Sequence, residues 1–201
     1  MAEHDVGARS RRRVDADRNH QRILSAACDA LVAHGTDVAL DDIARRAGVG
    51  NATVYRHFPD RRALLHEAAS SVLLVLKAEA EAAVANDSDA FGALRCYIHG
   101  AAEHRVGALY PALSDLAADG DSELGLALCQ LVDEIGGMVA RAREAGQLRA
   151  DVGLADLATA VRLLTRPIPD AGAEDSHYGE AAMHRHLDLF LDGCMPKSAR
   201  Q

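Results

Sequence analysis

Residues 40–58 read LDDIARRAGVGNATVYRHF, from Leu40 to Phe58. Leu40, Ile43 and Ala44 form one apolar edge over 40–47, and Gly48 breaks the periodicity. A second short helix is predicted over 51–58, with Val54 and Phe58 facing that edge. Ile43, Ala44, Ala47, Val49, Val54 and Phe58 have the spacing that lets two short helices bury a common seam. Ala44 and Gly48 are small where the helices approach, and Gly48 tolerates the positive φ of a helix end. The opposite face shows Asn51, Thr53, Tyr55, Arg56 and His57, side chains that suit base edges and phosphates. This is the sequence form of a helix-turn-helix, a unit that usually reads DNA.

Outward from the unit, the i, i+4 stripes Ile23–Ala27–Leu31 and Leu24–Cys28–Val32 predict a helix from about Asp17 to Gly35. Asp60 is a predicted N-cap for a long helix over 61–84. Further helices are predicted over 90–105, over 108–117 with a bend or interruption at Pro111, and over 122–145. Leu154–Thr165 and 180–192 complete the set, the last stopping at Gly193, with a Pro/Gly/Asp-rich loop over 166–178. No segment alternates like a strand, so the fold class is all-α with about nine helices. The predicted organisation is a flexible basic arm over 1–15, a three-helix DNA-binding domain over 16–62, and a helical body over 63–201.

The 201 residues carry a net charge of −8, which is a poor match for a DNA-binding chain until it is divided. Residues 1–65 hold 11 basic and 9 acidic side chains, so the remainder carries all of the acidic excess. The basic excess is sharpest between Arg9 and Arg22, where six arginines face two aspartates, and the arm residues Arg9, Arg11, Arg12 and Arg13 suit a minor groove or phosphate neutralisation. Only the head suits an approach to phosphate.

With 49% apolar residues, wholesale disorder is excluded; with 3% aromatics and no Trp, a β-barrel is disfavoured. No apolar run reaches the roughly 20 residues of a membrane span, and no secretory signal is read, so a cytoplasmic location is expected. Cys28, Cys96, Cys129 and Cys194 are scattered in apolar helical patterns and read as buried thiols. His184 and His186 are two apart and His99 and His104 five apart, so neither pair has helical metal spacing. No nucleophile elbow, phosphate loop or dinucleotide fingerprint occurs; no catalytic group, cofactor or metal is expected.

The order DIARRAGVGNATVYRHFPDRRALLHEA resembles the DNA-binding head of the TetR family of bacterial repressors. Asp42-Ile43-Ala44, Ala47-Gly48-Val49, Thr53, Tyr55, His57-Phe58 and Arg61 carry the resemblance, which is strong over about 16–76. Beyond that it is architectural, apart from ARAREAGQLRADV before the penultimate helix. It implies that Asn51, Ala52 and Thr53 approach base edges and nearby phosphates. Tyr55 and His57 would hold phosphates, Arg61 would clamp the backbone, Arg56 would read a base or phosphate, and Arg45 and Arg46 would touch the backbone.

Two positions depart from the family pattern. Ala39 stands where a capping Thr or Ser is usual, with Asp37 or Asp41 as substitutes, and Gly50 replaces a common Ser. For the body, the resemblance implies a homodimer paired through the last two helices, by Leu157, Val161, Leu164, Leu187, Phe190 and Leu191. It also implies an effector cavity, for which Cys96, His99, Tyr110, Leu128, Cys129 and Met138 are candidates. The reading is a dimeric repressor released from a palindromic operator by a small molecule. The alternative is a helical adaptor or ligand-sequestering protein with a degenerate head.

Overall fold

The computed structural model describes residues 3–86, 89–118, 122–165 and 176–196, and among them are nine α-helices and no strand. The helices are α1 (Glu3–His34), α2 (Leu40–Ala47), α3 (Asn51–His57), α4 (Arg61–Asn86) and α5 (Ala90–Glu103). They continue with α6 (Val106–Ala118), α7 (Ser122–Glu144), α8 (Leu154–Leu164) and α9 (Ser176–Cys194). The chain divides into two compact units, Met1–Ser71 and Val72–Gln201.

In the first unit α2 packs on α1 and α3 around a small apolar core. Ile23, Ala27, Leu31, Ile43, Ala44, Val54, Phe58 and Leu64 are all buried, as their stripes require. Full burial of the larger of these side chains, Ile, Leu, Val and Phe, is worth about 1.5–3 kcal/mol each, far beyond what eight- and seven-residue helices supply by propensity. Val49 is the exception in the predicted seam and stays half-buried. A 3-10 turn, Gly35–Asp37, connects α1 to α2.

Gly48 ends α2 in the left-handed region at φ +63°. Its N–H bonds the Arg45 carbonyl at 3.2 Å, and the Val49 N–H bonds the Ala44 carbonyl at 3.1 Å. That pair of bonds is the Schellman arrangement, and it turns the chain into α3. Asp60 caps α4 as expected, its Oδ1 accepting the Ala63 N–H at 2.8 Å.

Several boundaries move. The helix expected from about Asp17 begins at Glu3, so 3–13 continue α1 rather than forming an irregular arm. Those residues hold no proline and a single glycine among helix-favouring Ala and Arg, so nothing stops propagation from the packed part. Helix α6 runs through Pro111 without interruption. The chain leaves α5 two residues earlier than expected, and Arg105 adopts φ 51° at the joint to α6. Helix α9 does not stop at Gly193 but closes at Cys194. There the Cys194 carbonyl accepts the Arg149 N–H at 3.0 Å, and Nη1 of Arg149 donates to the Gly193 carbonyl at 3.3 Å. A distant residue thus satisfies the helix end, which a glycine signal alone does not reveal. The predicted loop over 166–178 falls largely outside the described residues.

The second unit buries Leu94, Ile98, Leu113, Leu124, Leu131, Met138, Leu187 and Leu191. Helix α7 packs on α5, α6 and α8, while α9 packs on α8 and α5. Helices α6 and α8 come so close at Gly107 that an added Cβ would lie 2.7 Å from the Arg162 Cα. Cys194 is buried and Cys28 half-buried, but Cys96 and Cys129 are exposed, which corrects the buried-thiol expectation for those two. Both lie on the outer faces of their helices, where the apolar stripe that buries Leu94 and Leu131 does not reach. No helix is long and apolar enough to cross a membrane among the described residues.

Candidate nucleic-acid interface

Helix α3 turns one side inward and leaves the other bare. Val54 is 1% exposed and Phe58, its C-cap, 2%, while Tyr55 keeps 55% of its surface. Asn51, Ala52 and Arg56 are exposed on the same side, and Thr53 is half-buried. This division follows from the sequence, since burying Val54 of the helix and Phe58 at its C-cap leaves the polar positions outside. The outward set contains the donors and acceptors that base edges and phosphates need.

The predicted contact residues are held in different ways. Nδ2 of Asn51 donates to Oδ1 of Asp41 at 2.7 Å, joining the starts of α3 and α2. Nε of Arg56 folds back onto the Ala52 carbonyl at 3.1 Å. The His57 ring meets His20 edge-on at 5.7 Å, and His20 stacks on Phe58 at 5.0 Å. His20 is fixed in turn by Glu67 of α4, 2.7 Å from its Nε2.

On α2, Arg45 pairs with Asp42 at 2.7 Å, and Nη2 of Arg46 donates to Nε2 of His34 at 3.0 Å. The hydrogen bond from Arg45 holds the Asp42 carboxyl below its ordinary range. Arg22, on α1, was not among the predicted residues. Its guanidinium reaches the Gly48 carbonyl at 3.4 Å, and with Arg46, Ser25 and Asp29 it lines a cleft of about 460 Å³. A basic residue directly before the buried stripe of α1 was the available signal.

Arg61 does more than face outward. Its Nε donates to the Val38 carbonyl at 2.6 Å, so part of the guanidinium ties α4 to the segment before α2. The expected substitute caps are absent. Ala39 offers no side-chain acceptor to α2, Gly50 none to α3, and Asp41 is engaged with Asn51.

In the body, the candidate lining residues differ in exposure. Met138 is buried, His99 and Leu128 are half-buried, and Cys96, Tyr110 and Cys129 are exposed. His99 instead faces His184 across α5 and α9, Nδ1 to Nδ1 at 2.7 Å, while its Nε2 lies 3.0 Å from Oδ1 of Asp188. Nη1 of Arg95 reaches the same carboxylate oxygen at 2.8 Å, and its Nη2 contacts Asp192. Burial disfavours the charge on Asp188, but hydrogen bonds from His99 and Arg95 prevail and hold its carboxyl below the ordinary range. Among the described residues no group of three His, Cys, Asp or Glu side chains is placed to hold a metal ion.

Of the six predicted dimer residues, Leu157, Leu187 and Leu191 are buried within the protomer. They serve the core of the chain. Val161, Leu164 and Phe190 are half-buried, and the bare leucines of these helices are Leu163 and Leu189, at 64% and 61% exposure.

The chain matches known proteins along both units. Residues 23–68 match the family model for bacterial regulatory proteins of the tetR family, and 89–196 match that of the SbtR-like transcriptional regulator C-terminal domain. An HTH-type transcriptional regulator of Mycobacterium bovis is 33% identical over 178 residues, covering 86% of this chain and 92% of that protein. The crystal structure of a TetR transcriptional regulator from Streptomyces coelicolor is 27% identical with a TM-score of 0.59, covering 89% and 99% of the two chains. The TetR-like regulator LfrR of Mycobacterium smegmatis, crystallised in complex with proflavine, is 28% identical with a TM-score of 0.62, covering 86% and 95%.

Proposed function

We propose, given that this chain belongs to the TetR family of bacterial regulatory proteins, that it is a homodimeric repressor of a palindromic operator, released by a small-molecule effector. Its membership makes it a transcriptional regulator with a DNA-binding head, and not an enzyme. The finer reading rests above all on α3, where Val54 and Phe58 are buried and Asn51, Ala52, Tyr55 and Arg56 stand exposed. In this reading Asn51, Ala52 and Thr53 meet base edges and nearby phosphates, and Arg56 a base or a phosphate. Tyr55, His57 and Arg61 meet phosphates, with Arg45 and Arg46 beside them. The DNA-binding domain is taken as 16–62 and the effector and dimerisation domain as 63–201, acting in the cytoplasm.

Two heads are needed to reach successive major-groove faces about 34–36 Å apart, which favours a dimer. Within the proposal Leu163 and Leu189, with Val161, Leu164 and Phe190, supply the dimer surface. The effector is a small, largely apolar molecule; LfrR, related over most of the chain, binds proflavine. Ligand in the body lowers operator affinity only by binding the two states of the protein differently.

Fluorescence polarisation with duplexes from the region upstream of the protein's own gene, repeated across a salt series, tests the reading. Affinity is expected to fall steeply with salt, by about 0.9 decade per decade for each phosphate neutralised. Absent or salt-insensitive binding on every duplex would overturn it and favour the adaptor alternative, to which the uncapped starts of α2 and α3 lend their only support.

A further inference from the structure

The starts of α2 and α3 both lack a side-chain cap, and a single hydrogen bond connects them. Ala39 and Gly50 precede the two helices without an acceptor to offer. Asp41, the second residue of α2, accepts at Oδ1 from Nδ2 of Asn51, the first residue of α3, at 2.7 Å. Arg45 is drawn to Asp42 and Arg46 to His34, which leaves the Asp41 carboxylate to Asn51. A carboxylate has only acceptors, so it selects the amide nitrogen of Asn51 and turns the amide oxygen away. The amide orientation is therefore fixed by chemistry.

We propose that Asp41 is a positioning residue that presents Asn51 to an adenine in the major groove. The inference rests on the reading of the head as a DNA-binding unit. Asn51 is exposed, and its amide retains a second N–H beside Oδ1. That donor–acceptor pair matches N7 and the N6 amino group of adenine, whereas guanine shows two acceptors, N7 and O6. Rotation about the last side-chain torsion of Asn is soft and roughly two-fold. Without Asp41 the amide turns over freely and offers its N–H to guanine O6 as well. Asp41 thus supplies selectivity at a base it does not touch, and its negative charge costs some affinity on every sequence.

The test uses the full-length protein and an operator selected by it from a random duplex pool. Each base pair is then replaced in turn, and Asp41→Asn, Asp41→Ala and Asn51→Ala are compared with the unmodified chain. Both Asp41 variants are expected to bind all duplexes more tightly, because a negative charge has left the interface. Asp41→Asn offers Asn51 a donor as well as an acceptor, so it no longer selects one amide orientation and is expected to weaken the preference for adenine at one position per half-site. Asp41→Ala loses roughly tenfold in that preference, down to the level of Asn51→Ala. Replacing that adenine by 7-deazaadenine costs the unmodified chain a comparable factor, because N7 is gone. Unchanged discrimination by Asp41→Ala at every position would overturn the assignment. Full retention of the preference in Asp41→Asn would do the same, because its amide accommodates either orientation of Asn51. Should the unmodified chain select no sequence at all, the DNA-reading head itself fails and this assignment with it.

Discussion

Gly48 carries the turn of the reading unit at φ +63°, and an added Cβ would lie 2.7 Å from the Arg22 guanidinium. The guanidinium is a flexible end that swings away, so the dihedral dominates. For a residue with a Cβ that conformation costs roughly 1–2 kcal/mol. Gly48→Ala is expected to lower the stability of the head by that amount, measured by denaturant unfolding of the full chain. Arg105 shows the opposite case, a side-chain-bearing residue at φ 51° between α5 and α6. Arg105→Gly should be neutral or stabilising by up to about 1 kcal/mol; a clear loss in the same experiment would show that the Arg105 side chain repays the strain. Gly48 was legible as a helix end because breaker and seam agree there. Arg105 was not, since nothing in its chemistry announces a left-handed backbone.

At the scale of elements, the network between α5 and α9 ties pH to packing. Asp188 accepts from both His99 and Arg95, and its carboxyl is held below the ordinary range near 3.8. A carboxyl depressed on folding contributes stability that is present above its unfolded pKa and lost as pH falls through its lower folded value. Asp188→Asn should therefore weaken the protein at neutral pH and flatten the loss of stability below about pH 4. Thermal melts between pH 2.5 and 7 would show it, and an unchanged acid limb would contradict it. The contact of α6 with α8 is governed by volume instead. An alanine Cβ at Gly107 would come 2.2 Å from Oγ1 of Thr165 and 3.0 Å from the Val161 carbonyl. Because the facing atoms include backbone, Gly107→Ala is expected to cost about 1–3 kcal/mol in urea unfolding. Helix existence was readable from apolar periodicity along most of the chain, but these pairings were not. His99 and His184 are separated by 85 positions, and His–His and Arg–Asp pairs leave no local period.

For the whole molecule, the proposed dimer makes a prediction that separates interface from core. Leu163→Glu with Leu189→Glu replaces two exposed leucines, so the protomer should keep its helical circular dichroism while sedimentation shows monomers. Operator affinity should fall at the same time, since one head alone contacts a half-site. A dimer that persists would move the interface elsewhere. The DNA-binding head was legible because motif and charge both set that stretch apart. Arg22 and the second duty of Arg61 toward Val38 were not, because each depends on a carbonyl brought close only by folding.

The close approach at Gly107 also has a genetic side. Every single-nucleotide change of a glycine codon that alters the amino acid installs a side chain, and the smallest of them is already too large there. Mutation has no one-step conservative route away from this position. Gly136, whose nearest outside atom would be 4.0 Å from an added Cβ, and Gly179, with none inside 4 Å, meet no such barrier. A library of random single-nucleotide variants selected for function should therefore be depleted of every missense codon at 107 while retaining many at 179.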